Sequence, residues 1–173
     1  MLYAVLVVAL VVLDQVVKFL VRANIPLGGD VPFLPHILQL TYVQNTGAAF
    51  SLLEEHTWIL TIVSLVVSVL LTVLLVKKVF PRPFAMAALS MVLAGAVGNL
   101  IDRALLGYVT DMFETLFMRF AVFNVADICV VCGGIAFCVY FLFFYDKLEK
   151  KEVQEGLIGA CDVIDVIIAI LRG

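Results

Sequence analysis

The chain has 173 residues, of which 64% are apolar and only 14% charged, and its net charge is -3. Soluble domains are about half apolar and about a quarter charged, so this composition, with a mean hydropathy of +1.17, excludes a soluble globular domain and implies an integral membrane protein. A near-neutral charge with no basic stripe between aromatics gives no nucleic-acid partner, and the length allows one compact helical bundle.

Leu2 to Val21 is an apolar run interrupted by Asp14, Gln15 and Lys18. About 20 apolar residues in a helix cross a hydrocarbon core, so this is a first span. A signal peptide fits poorly, with no basic residue ahead of the run and no small-residue cleavage site after it. Asp14 and Lys18 stand at i and i+4, in the favourable acid-before-base order. They form either a structural ion pair or part of a site, since ionisable groups inside membranes do both.

A polar section follows from Asn24 to Glu55, opening NIPLGGDVPFLP, whose Pro and Gly end the helix. Leu38, Leu40 and Tyr42 alternate with Gln39, Thr41 and Val43, a period-two pattern that predicts a short strand. NTGAAFS, Asn45 to Ser51, reads as a turn sharpest at Gly47. A small β element on the membrane surface is expected.

Thr57 to Val76 is an uncharged second span with Trp58 at its interfacial start. Lys77, Lys78, Pro81, Arg82 and Pro83 make a short basic connection, and such loops stay cytoplasmic. Phe84 to Ile101 is the third span, with Asn99 near its end. A connection from Asp102 to Arg119 leads to the fourth span, opening near Asn124 and apolar from Ile128 to Tyr145. Lys147, Lys150 and Lys151 then place a second positive cluster on the side of the first, so both termini are expected in the cytoplasm.

That topology has a consequence. Spans one and three run outward and carry Asp14, Lys18, Asn99 and Asp102 late, whereas span four runs inward and carries Asn124 and Asp127 early. With Asn45 and Asp111 in outer connections, the costly polar groups converge on one layer at the outer face. Two neighbouring carboxylates do not both ionise easily, so one keeps a proton while the other stays basic. Asp111 and Asp127 are the expected pair: one takes a proton from water and the other donates to a carbonyl oxygen. That chemistry calls for no metal and no other cofactor.

The ordered set DQVVK (Asp14 to Lys18), NTGAAFS, GNLIDR (Gly98 to Arg103), VTD ending at Asp111 and FNVAD (Phe123 to Asp127) resembles the lipoprotein signal peptidases, signal peptidase II, across about residues 1 to 151. The resemblance implies an aspartic endopeptidase of the bacterial inner membrane that cuts a prolipoprotein signal peptide just before a diacylglyceryl-modified cysteine. Asp111 and Asp127 would be catalytic. Asn45, Gly47, Asn99, Arg103 and Asn124 would bind substrate or hold the pair, supported by Asp14, Lys18 and Asp102. The expected fold is an all-α, four-transmembrane-helix bundle with a small extracytoplasmic β element and a loop or helix over the site. The implied partners are lipid-modified signal peptides and membrane lipid, with a monomer expected and the antibiotic globomycin as an inhibitor. The third motif reads AGAVGNLIDR rather than opening on paired glycines, and Thr110 stands where a second apolar residue is common. Neither departure touches a proton donor or base.

Residue-level alternatives remain at this stage: Asn124 as a simple cap of span four, and Asp102 with Arg103 as an interfacial ion pair. Cys129 and Cys132 have C-x-x-C spacing, but free cysteines in an apolar helix behave as small hydrophobes. His36 and His56 fall in no H-E-x-x-H pattern, which disfavours a zinc peptidase. The tail, 152–173, holds GLIGACDVIDVIIAILRG, too short an apolar run to span; its IGAC resembles the lipobox of lipoprotein precursors but is cytoplasmic by topology. An interfacial helix or an added segment is expected there. The rival function, a small transporter or proton channel, predicts carboxylates staggered through the bilayer as a relay. A non-enzymatic scaffold would leave Asp111 and Asp127 incidental.

Overall fold

The computed structural model describes residues 1–47, 57–145 and 147–172. The NTGAAFS turn from Ala48 onward and His56 lie outside the described residues. The elements are α1 (Leu2–Asn24), β1 (Asp30–Leu34), β2 (Leu38–Asn45), α2 (Thr57–Val76), α3 (Pro83–Leu106), β3 (Val109–Thr115), α4 (Val125–Phe143) and α5 (Lys147–Arg172). The first four helices, α1 to α4, are each long and apolar enough to cross a membrane.

Helix ends follow local chemistry. Ile25 ends α1 in an extended conformation, φ -114 and ψ 123, as required of a residue that precedes a proline. Pro83 opens α3, where its missing N–H costs nothing, and Gly107 closes it in the left-handed region at φ 80, which a side chain would resist. Within α2, Thr61, Ser68 and Thr72 each return a hydroxyl to the carbonyl four residues back. Those groups are thereby satisfied without water.

The central post is α3: 56% of its apolar window is buried, against 17–22% for the other three spans. Its glycines permit this. A Cβ on Gly95 would strike the Ala126 carbonyl oxygen, and one on Gly98 would lie 2.7 Å from Asp14 Oδ2. Close approach through small residues suits a solvent in which apolar association gains nothing from excluding water. The outward faces of α1 and α2 leave Val8, Val12, Phe19, Ile62 and Val66 exposed, as a lipid-facing surface does.

The β element is a three-stranded antiparallel sheet in the order β1-β2-β3. It rests on the end of α1 through Val21, Ile25, Tyr42 and Met112. The strand expected at Leu38 to Tyr42 is there and runs on to Asn45, but β3 falls in what had read as the connection from Asp102 to Arg119. A register shift between Leu40 and Val43 sets Val43 opposite Asp111. Irregular chain at 116–124 returns to α4, tied to β3 by hydrogen bonds between Phe113 and Phe123 of 2.8 and 3.1 Å.

At the opposite end of the bundle, Val153, Ala160 and Ile164 of α5 pack on Val73 and Val79. The charged segment and apolar tail are thus one helix.

Candidate active site

The polar residues converge where α3 ends, α4 begins and the sheet covers both. Asn99 and Arg103, one turn apart on α3, line the cavity there, whereas Asp102 faces α1. Val109–Thr115 brings up Asp111, which is 2% exposed. Asn124 is the N-cap of α4 and Asp127 lies three residues on. Asn124 Oδ1 accepts the Asp127 N–H at 2.9 Å and Asp127 Oδ2 accepts the Asn124 N–H at 3.1 Å, a reciprocal capping box.

Three asparagines feed the two carboxylates. Asp111 Oδ2 accepts from Asn45 Nδ2 at 2.8 Å and Oδ1 from Asn124 Nδ2 at 2.6 Å. Asp127 Oδ1 accepts from Asn99 Nδ2 at 2.8 Å. Each amide is oriented by a group that can only donate to its oxygen: Gly47 N–H to Asn45 at 3.0 Å, the Lys18 ammonium to Asn99 at 2.9 Å and Asp127 N–H to Asn124. Every NH2 therefore has to turn toward a carboxylate. All four carboxylate oxygens accept one N–H.

Burial pushes the Asp111 carboxyl up to about 6, with the charge of Asp127 acting the same way against the lowering effect of the Asn45 and Asn124 amides. Desolvation dominates because a buried charge loses more hydration than two neutral amides return.

The carboxylates open into a cavity of about 580 Å³. Its polar end holds Asn45, Asn99, Arg103, Asp111 and Asp127. The rest is apolar, with Val63 and Val67 from α2, Val130 and Val131 from α4, and Phe120 to Phe123 from the 116–124 chain. Asn124 and Gly47 do not line it. Asn124 is wholly buried behind the pair, and Gly47 acts through Asn45. Arg103 Nη1 donates to Ser64 Oγ at 3.3 Å, and Arg103 Nε is buried without a partner among the described residues.

Behind this layer, Lys18 meets Asp14 at 2.9 Å and Asp102 at 3.3 Å. The alternative pairing of Asp102 with Arg103 does not occur, because adjacent helix residues do not share a face. Gln15, noticed in the sequence only as an interruption, donates to Asp14, Asp102 and the Gly98 carbonyl at 3.1–3.2 Å. Arg22 donates to Thr110 Oγ1 at 2.8 Å, a contact with no sequence signal. Asp14, Lys18, Asp102, Asp111 and Asp127 form one connected cluster through Asn99 and Asn124 rather than a relay staggered along the helices. Cys129 and Cys132 are free thiols, and no metal-binding group of His, Cys, Asp and Glu occurs among the described residues.

Fold and site together define a multi-pass membrane protein with two carboxylates, one buried and one half-buried, at one end of its helix bundle, lining a mostly apolar cavity. Residues 6–143 match the family described as Signal peptidase (SPase) II. The lipoprotein signal peptidase of Enterococcus faecalis is 45% identical over 150 residues, 87% of this chain and 90% of that one. That of Clostridioides difficile is 40% identical over 148 residues, 85% and 99% of the two chains. A solved structure of a bacterial membrane enzyme, obtained in meso at 1.9 Å resolution, superposes with a TM-score of 0.75 at 30% identity, covering 82% of this chain and 93% of its own. The chain belongs to the signal peptidase II family and is a membrane peptidase.

Proposed function

We propose that this peptidase removes signal peptides from diacylglyceryl-modified prolipoproteins by an aspartic mechanism, with Asp111 and Asp127 as the reacting pair. The observation that carries the reading is a single amide, Asn124, bonded to both residues behind the polar end of an apolar cavity. Asp111, whose carboxyl is raised by burial to about 6, carries the proton in the reactive form of the pair. Asp127 takes a proton from the attacking water as its oxygen bonds the peptide carbonyl carbon, and Asp111 donates to the carbonyl oxygen. The tetrahedral intermediate collapses when Asp127 returns its proton to the leaving nitrogen and Asp111 regains its own. Asn45, Asn99 and Arg103 face the scissile region, and Arg103 Nε, which has no partner among the described residues, is a donor for a substrate carbonyl.

The apolar cavity walls suit a lipidated substrate. A signal peptide is an apolar helix in the bilayer, and its modified cysteine lies at the interface. The basic residues Lys77, Lys78 and Arg82, with Lys147, Lys150 and Lys151, put the opposite end of the bundle in the cytoplasm by the positive-inside rule. The site then lies at the outer leaflet and both termini lie inside. Residues 1–151 are the peptidase domain, acting as a monomer, and in the tail 152–173 the helix α5 continues to Arg172 along the inner interface. Globomycin occupies the same cavity.

Substrate class is tested by offering the purified protein a precursor with and without the diacylglyceryl group and mapping the cut by mass spectrometry. Cleavage before the cysteine of the lipidated form alone is expected. Equal cleavage of both forms contradicts the lipid requirement.

A further inference from the structure

The cavity takes no lining residue from α1, yet α1 holds a lysine that is 0% exposed and pairs with two aspartates that are each 1% exposed. Those aspartates have matching tasks. Asp14 Oδ1 accepts the backbone N–H of Ala126 at 2.9 Å, and Asp102 Oδ2 accepts that of Thr110 at 2.9 Å. Ala126 immediately precedes Asp127, and Thr110 immediately precedes Asp111. Each buried aspartate thus grips the chain one residue ahead of a reacting one.

Lys18 joins the two grips. Its ammonium has three hydrogens, and three acceptors surround it: Asp14 Oδ2 at 2.9 Å, Asp102 Oδ2 at 3.3 Å and Asn99 Oδ1 at 2.9 Å. The third contact, with Asn124 Nδ2 donating to the same oxygen at 3.2 Å, turns the Asn99 amide toward Asp127. From these contacts we infer that Lys18 is a positioning residue: through Asp14 and Asp102 it fixes where β3 and the first turn of α4 sit relative to each other, and through Asn99 it aims a donor at Asp127. The inference rests on Asp111 and Asp127 being the reacting pair.

The bland role for a buried lysine between two carboxylates is charge balance alone. Two variants separate the roles: Lys18→Met, and the charge-compensated Asp14→Asn/Lys18→Met/Asp102→Asn, whose asparagine oxygens still accept from Ala126 and Thr110. Steady-state cleavage of a diacylglyceryl-modified precursor and thermal unfolding in detergent are measured on the full chain. Lys18→Met is expected to lose on the order of 100-fold in kcat, the scale of a small misplacement of reacting groups, with KM within about threefold. The compensated variant is expected to regain the unfolding temperature but not kcat. The inference is overturned if the compensated variant cuts within about threefold of wild type, if Lys18→Met does so, or if neither folds, because the lysine then serves charge balance or folding. Cleavage by Asp111→Asn or Asp127→Asn at the wild-type rate would instead sink the pair assignment itself.

Discussion

Asn124 and Asp127 cap each other at the start of α4, side-chain oxygen to backbone N–H in both directions, while the Asn124 NH2 reaches Asp111 at 2.6 Å. One residue therefore opens a helix and joins two carboxylates. The two tasks can be taken apart. Asn124→Ser keeps a capping oxygen but loses the amide, whereas Asn124→Ala loses both. We predict that Ala costs about 1–2 kcal/mol of stability relative to Ser, and that both variants lose on the order of 100-fold in cleavage rate, as for loss of a fixed donor. Thermal unfolding with an activity assay checks this; a fully active Asn124→Ser variant contradicts it.

Helix contact through glycine makes a steric prediction. A Cβ at Gly98 meets Asp14 Oδ2 at 2.7 Å and Ala126 Cβ at 3.2 Å, whereas one at Gly134 meets nothing within 4 Å. Gly98→Ala should destabilise by about 1–3 kcal/mol through overpacking and lower cleavage, since it pushes on Asp14. Gly134→Ala should be neutral or up to about 1 kcal/mol stabilising from helix propensity. Unfolding temperatures of the pair are the measurement, and equal effects would refute the close-packing account.

Asp111 gives a pH dependence whose sign can be worked out. Its folded-state carboxyl lies at about 6 against an ordinary 3.8. Between those values the folded protein keeps a proton that the unfolded chain has released. Wild-type stability therefore falls as pH rises through the interval, by at most about 3 kcal/mol, and is level above it. Asp111→Asn lacks this fall. Its stability advantage should grow from about pH 4 to about pH 6 and then hold constant; an advantage independent of pH would show that burial does not raise this carboxyl.

The apolar cavity predicts a block. Val67 lines it from α2 on the apolar wall and carries no group that can move a proton. Val67→Trp should raise KM for a lipidated precursor about tenfold or more with a smaller change in kcat, the pattern of lost ground-state binding. An unchanged KM would mean that substrate does not occupy this wall.

The spans were legible because long apolar runs stand between Pro, Gly and charged punctuation; only boundaries moved, as where α3 continues past Ile101 to Leu106. Strand β3 was not legible. Val109, Thr110, Asp111 and Met112 are all buried, so it has no inside–outside alternation to read. The continuity of α5 was hidden because its apolar stripe is sparse, Val153, Ala160 and Ile164, and becomes meaningful only against Val73 and Val79. At the site, residue types and order pointed to the carboxylates and asparagines. Asp14, Lys18 and Asp102 stood as supports only through the resemblance, and the contacts they and Arg22 make did not show, because Lys18–Asn99 and Arg22–Thr110 join residues 81 and 88 positions apart.

The most direct test of the central claim is the cleavage rate of a diacylglyceryl-modified precursor by wild type, Asp111→Asn and Asp127→Asn, each shown by thermal unfolding in detergent to be folded. The account predicts that both variants fold and neither cuts measurably above background. A folded variant that cuts near the wild-type rate would contradict it, because that aspartate would then take no part in moving protons.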